Sequence, residues 1–404
     1  MISIPLKSIY IAFPIFILLA TSIPYNDVYR GVYFLILAPA TIIILYRERR
    51  TFFQSSPKSV WLAALLLSYL FLSVAWSLNV NTHTGLRYFR WYLETLFFAA
   101  CVYLLARDID QRKIHFRSIL HAIVLCVASV AIAKYIWGNL YPQRLTGPGF
   151  LAHTILGTSV LISLWVVGFL DTSPFTKKNA PITILTTATL VIYALLSQSR
   201  GPLLSIILLL TAYTAIYIRE PKLLFSWLFV IFAVLALILT TLPVDEKFFH
   251  SLISRGDSYR ITIWQHTLNE IWSQPIFGRG IATDLRNTEV GIKLLHDIHG
   301  FIDHPHNIIL SVLYFGGFVG ISLFFTFIAL MIANIRRLDN SKHRMIRYTG
   351  ILAVFMLFFT DGYRLISSPS PMWLIFWLPL CVIMAMDARN HSRDFHPNQT
   401  AHYP

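Results

Sequence analysis

Residues 303–307 read DHPHN and lead straight into the apolar stretch IILSVLYFGGFVG. Two imidazoles, His304 and His306, therefore stand where the chain turns fully hydrophobic. A neutral imidazole is a good general base near neutral pH. His306 is the last residue before the apolar run, so a helix starting there would hold it at a water–lipid boundary. Asn307 beside it can orient a neighbour through its amide. His296, His299, His304 and His306 fall within eleven residues, with Asp297 and Asp303 among them. Such a cluster raises zinc or manganese, but its spacing matches no metal motif and the region has no cysteine. The residues read as metal-free, with solvated loop histidines as the plain alternative for the cluster.

A second chemistry is carried by arginine. Arg200 sits in SQSRGP, a minimal turn between two apolar runs, and Arg144 sits in YPQRLTGPG; neither has an acid adjacent in sequence. A guanidinium fork binds phosphate bidentately and loses water more readily than an ammonium group. One such arginine is ordinarily a snorkelling side chain. Several together on one membrane face suit a diphosphate. SYRITIWQHTLNEIW reads as a helix with Ile261, Trp264, Leu268, Ile271 and Trp272 at helical spacing and Asp257 or Ser258 as cap. Arg255 and Arg260 fall at or just before its N-terminus, where backbone N–H groups add to an anion site.

These groups must be positioned by membrane helices. The chain has 404 residues, 56% hydrophobic and only 13% charged, against about 25% charged in an average soluble domain. The expectation is an all-α polytopic integral membrane protein. Twelve spans are expected near 8–23, 28–46, 60–78, 88–106, 118–137, 153–170, 181–198, 201–218, 223–242, 307–333, 348–361 and 371–386, most of them near the length that a bilayer core of about 30 Å requires, with 348–361 short. The chain then divides into nine spans in 1–242, one long loop in 243–306, three spans in 307–386 and a polar tail in 387–404 that reads as disordered. With the N-terminus inside, 20 of the 33 Lys and Arg lie in cytoplasmic segments and six in the 243–306 loop. That asymmetry orients the chain, with both termini cytoplasmic and the loop outside. It also accounts for the net charge of +14 without nucleic acid. The cysteines lie in apolar runs and give no disulfide framework.

HNIILSVLYFGGFVG has the form H-N-x9-G-x-x-G, through His306, Asn307, Gly317 and Gly320. Together with Ser199-Arg200-Gly201, SYR and PIFGRG in this order, it resembles the bacterial O-antigen ligases and related periplasmic O-oligosaccharyltransferases. The resemblance implies a membrane glycosyltransferase of GT-C-like architecture in the bacterial inner membrane, with its active site facing the periplasm. It implies an undecaprenyl-diphosphate-linked glycan as donor, lipid A-core as acceptor and no metal or other cofactor. His306 then matches the essential histidine, and Arg260 and Arg200 the essential arginines. Arg255, Arg144, His304 and Asn307 are expected to bind substrate. The alternatives are an O-antigen polymerase, a protein O-oligosaccharyltransferase and, outside enzymes, a lipid-linked oligosaccharide transporter.

Overall fold

The structure is a computed structural model describing residues 4–109, 116–170, 180–217, 259–299, 301–359 and 361–395, with isolated positions 222, 225 and 229. Every regular element among the described residues is helical, as lipid requires of a chain that must pair its backbone polar groups internally. Five helices lead: α1 (Ile4–Ser22), α2 (Asn26–Arg47), α3 (Arg49–Ser55), α4 (Lys58–Leu72) and α5 (Thr82–Ile109). Four more follow: α6 (Phe116–Trp137), α7 (Thr154–Val167), α8 (Ala180–Leu196) and α9 (Arg200–Tyr217). After an undescribed stretch come α10 (Arg260–Ile271), α11 (Glu289–Ile298), α12 (Ile308–Arg336), α13 (Ser341–Phe359) and α14 (Leu378–Phe395).

Six helices are long and apolar enough to cross a membrane, and the apolar helices Thr154–Val167, Ala180–Leu196, Arg200–Ile216 and Trp373–Asp387 are shorter. The chain is a multi-pass membrane protein. Eleven of the twelve expected spans coincide with a described helix. The expected span at 223–242, the loop portion 243–258 and Arg255 lie outside the described residues. The polar tail does not begin in disorder, because α14 runs on through Phe395.

A π-turn lies within α2 at Tyr33–Leu37, and another, Trp373–Trp377, leads directly into α14. A π-turn displaces carbonyls from the helical ladder. Ser163 Oγ from α7 donates to one of them, Leu374 O, at 2.6 Å. The Tyr33 ring packs edge-on against Trp373, whose other face stacks on Phe98 at 4.5 Å. α2, α5, α7 and α14 thus lock together at the centre of the bundle.

The segment PIFGRG is built into α12. Gly317 breaks that helix with φ 62° and ψ −162°. Phe318 N donates to Pro275 O and Val319 N to Ile276 O on one side of the break. Arg279 N donates to Tyr314 O and Gly280 N to Phe315 O on the other. The inserted backbone therefore satisfies the groups that the break releases. A Cβ on Gly317 would stand 2.3 Å from Ile276 O, and one on Gly278 would stand 2.4 Å from Gly317 N. Only glycine fits both strands of this crossing.

α10 turns part of its apolar stripe outward. Ile261, Leu268 and Trp272 are exposed, whereas Ile263, Thr267, Glu270 and Ile271 are buried. The reason is Glu270. Its carboxylate pairs with Arg279 at 3.0 Å and accepts from Val290 N and Tyr314 Oη, tying α10 to PIFGRG, α11 and α12. Tyr259, in the left-handed region, occupies the N-cap without a side-chain cap bond; Asp257 and Ser258 lie outside the described residues.

Candidate functional site

The site lies where α12 begins. Asn307 caps this helix, its Oδ1 accepting from Ile309 N at 2.9 Å and Leu310 N at 3.1 Å. Its Nδ2 donates to Phe359 O at 3.1 Å, which fixes the end of α13 beside the start of α12. Asn307 is buried and both ends of its amide are engaged, so it positions the backbone rather than presenting a group to a ligand. His306, just before the cap, has φ 53°. A non-glycine residue held in the left-handed region is strained and is retained where its surroundings over-determine it.

What determines it is Asp361, absent from the expected residue set. His306 Nδ1 lies 2.7 Å from Asp361 Oδ1. An ionised carboxylate can only accept, so Nδ1 is the nitrogen that donates to it, and the Nε2 lone pair is left free to accept a proton. His304 Nε2 approaches the same oxygen at 3.6 Å, while its Nδ1 is 2.6 Å from Asp303 Oδ1. The His304 and His306 rings are 3.9 Å apart between centroids, and Tyr363 packs edge-on against His304. Asp361 is 4% exposed and His306 26%, so the acid is interior and the base reaches the surface.

Electrostatics divides the two imidazoles. Burial pushes His306 below the ordinary imidazole value; the bond to Asp361 opposes this, and the charges of His304 and Arg260 add to it. Burial also disfavours charged His304, but its bonds to Asp303 and Asp361 outweigh that and leave it raised. The Asp303 carboxyl is lowered to about 2, chiefly by His304. Burial would raise Asp361, yet its bonds to the two histidines hold it well below the usual carboxylate range. Near neutral pH, His306 is the neutral, accepting imidazole.

Of the predicted arginines, Arg260 opens α10 and is felt electrostatically by His306. Trp264, one turn on, donates its Nε1 to Pro305 O at 3.1 Å and packs against Phe359, which fastens α10 to the histidine segment. Arg200 opens α9. Arg144 binds the preceding turn, donating to Ser197 O at 2.9 Å and Ser199 Oγ at 3.0 Å. Its role is thus to hold the turn that presents Arg200. α7 carries that turn toward the dyad: Thr158 Oγ1 donates to Ser197 Oγ, while His153, its N-cap, lies 3.8 Å from Asp361 Oδ2.

The expected histidine cluster divides. His296 and His266 share Asp297 on the outer surface, and His299 ends α11 in the left-handed region. His304, His306 and Asp361 each present one ligand atom within 4.8 Å of the others, a set able to hold an ion. Arg364, three residues beyond Asp361, donates to Tyr88 Oη at 2.7 Å and Thr283 O at 2.9 Å and lies over Phe315. It braces the Asp361 loop against α5 and the 275–285 segment.

A family model for O-antigen ligase matches residues 185–325. The chain is also 25% identical over 362 residues to an O-antigen ligase of Pseudomonas aeruginosa, covering 89% of this chain and 85% of that protein. Both comparisons point to the O-antigen ligases as the proteins this chain is similar to. The matched segment includes Arg200, Arg260, His306 and the glycine break. Asp361 and Arg144 fall outside it and reach the ligase segment through the fold.

Proposed function

We propose that this enzyme transfers a polysaccharide from undecaprenyl diphosphate to a sugar hydroxyl of lipid A-core, at the periplasmic face of the bacterial inner membrane. The observation that carries the reading is His306, strained at the mouth of α12, with Nδ1 bonded to buried Asp361 and Arg260 nearby. In this mechanism Nε2 of His306 takes the proton of the acceptor hydroxyl. The hydroxyl oxygen attacks the anomeric carbon from the face opposite the diphosphate, inverting that centre. The bond between the anomeric carbon and the diphosphate oxygen breaks, and undecaprenyl diphosphate departs with the electron pair. Asp361 keeps the imidazole in the required tautomer and stabilises the imidazolium that forms. Such a base contributes about 10²–10⁴ in rate.

Arg260 and Arg200 neutralise the leaving diphosphate, and each is expected to supply about 10²–10³, by comparison with the loss of one oxyanion donor. Arg255 is assigned to the same anion site. His304, paired with Asp303 and raised in pKa, opposes protonation of His306 when it carries a charge itself. No step requires a metal, because diphosphate is already a competent leaving group once its charge is offset.

The deciding experiment is reconstitution of the purified enzyme in proteoliposomes with undecaprenyl-diphosphate-linked glycan and, separately, lipid A-core or a second lipid-linked glycan as acceptor. Transfer to lipid A-core that survives excess EDTA is expected. Growth of the lipid-linked glycan alone would make the enzyme a polymerase. Loss with EDTA and recovery with zinc or manganese would make His304, His306 and Asp361 a metal site.

A further inference from the structure

At the end of the bundle away from His306, an apolar cavity of about 300 Å³ opens between α3, α4, α5 and α14. Ser73 and Ser77, at and just beyond the C-terminal end of α4, accept from Ile281 N and Ala282 N of the loop beside the catalytic segment. Trp61, which lines the cavity, precedes Ser73 by twelve residues, about 18 Å along a helix. Two pairs of alanines, Ala63–Ala64 on α4 and Ala99–Ala100 on α5, face the cavity and leave the gap. At its side, Phe53 of α3 stacks on Trp61 with ring centroids 4.8 Å apart, both rings partly exposed.

A cavity so lined offers water no hydrogen-bond partners. A dry apolar cavity of about 150 Å³ accommodates benzene, so one of this size accommodates roughly twice as many carbons, about a dozen. Around it the charge has one sign. Arg49 and Arg50 stand on the same short helix as Phe53, Arg47 precedes it, and Lys58 lies two residues before Val60 of the lining. All four are exposed, and among the described residues no acid pairs with them. Glu48 is already bonded to Arg107 at 2.5 Å. A positive-inside bias explains cations at this end of the bundle, but not a chain-sized apolar cavity opening beside them.

We propose that this is a binding site for one anionic phospholipid of the adjoining leaflet, with an acyl chain in the cavity and the headgroup phosphate against Arg47, Arg49, Arg50 and Lys58. Basic clusters flanking spaces between membrane helices suit anionic headgroups, and an almost wholly apolar lining suits a lipid tail rather than a polar solute. The site is separate from the transferase chemistry and independent of it.

The test uses the full chain in phosphatidylcholine nanodiscs doped with phosphatidylglycerol or phosphatidylcholine brominated on the acyl chain. Trp61 reports occupancy as the difference in fluorescence quenching between the wild type and Trp61→Phe. Quenching of this component is expected to be at least threefold stronger with brominated phosphatidylglycerol. Ala64→Phe, or the milder Ala100→Leu, should abolish the difference by filling the cavity. R49Q/R50Q/K58Q should retain quenching but lose the preference for the anionic lipid. Equal quenching by both lipids in the wild type would reduce the site to ordinary surrounding lipid. Undiminished quenching in a folded cavity-filling variant, or displacement by added polyprenyl phosphate, would overturn the proposal.

Discussion

Asp361→Asn isolates the electrostatic part of the dyad. Asp361 Oδ2 has no hydrogen-bond partner among the described residues; His153 Nδ1 is nearest at 3.8 Å. An asparagine can place its amide nitrogen there and keep its oxygen facing His306 Nδ1, preserving tautomer and ring orientation. What it removes is the charge. Two unit charges about 4 Å apart interact by about 4 kcal/mol at an effective dielectric of about 20. At about 1.4 kcal/mol per decade, full proton transfer to His306 in the transition state would make the loss about 10³ in rate. Partial transfer would make it smaller. The pH profile gives a second signature. Asp361 raises the His306 pKa against the stronger effect of burial. Removing its charge lowers that pKa further, so the acid limb of the rate must move to lower pH even as the plateau falls. The assay is single-turnover transfer from lipid-linked donor between pH 5 and 9, alongside thermal unfolding in detergent. A folded Asp361→Asn enzyme within threefold of wild type, with its acid limb unmoved, would refute the dyad.

His306→Ala should lower turnover by about 10²–10⁴ while leaving donor binding intact, and His304→Ala should lose less; the opposite order in the same assay would assign the base to His304. In the wild type the rate should fall as pH drops below the ordinary imidazole range, because burial sets the His306 pKa below it and protonation removes the base. Arg200→Ala and Arg260→Ala should each cut transfer by about 10²–10³ with insertion unchanged, and lysine should rescue only partly because it lacks the fork; full activity in both alanine variants would exclude the diphosphate clamp. Gly317→Ala should destabilise the protein by at least about 1–3 kcal/mol, since φ 62° is compounded by a backbone contact at 2.3 Å; an unchanged unfolding temperature would mean that the inserted loop moves aside freely. For orientation, Ile292→Cys, exposed on α11, should react with an impermeant maleimide in intact spheroplasts, and labelling only after lysis would reverse the orientation.

The helices were legible because a bilayer leaves a chain few choices: an apolar run of span length pairs its own backbone as a helix, and apolar composition alone marks most of the described helices. The histidine was legible because polar residues abutting such a run are costly unless used. The two arginine turns were equally visible, although sequence could not show that Arg200 opens α9 while Arg144 holds the turn before it. The burial of Glu270 on α10 was not legible, because Arg279 and Tyr314, which receive this acid, come close to it only after folding.

Asp361 was the larger omission, and its cause is physical. It is 55 residues from His306, at the end of what reads as one more apolar span, and neither its spacing nor its neighbours resemble a site. The one signal was its cost: a carboxylate in FFTDGYR, next to a run that would otherwise enter lipid, needs a partner. Pairing it with a histidine required knowing that α12 and α13 meet at their outer ends. That contact is made by Gly362, where a Cβ would lie 2.0 Å from Ile308 N, and by the bond from Asn307 to Phe359 O. The asparagine of the H-N pair is therefore the residue through which a sequence-local histidine acquires its sequence-distant acid. Its cap fixes where α12 starts, its amide fixes where α13 ends, and the carboxylate is delivered to Nδ1 between them.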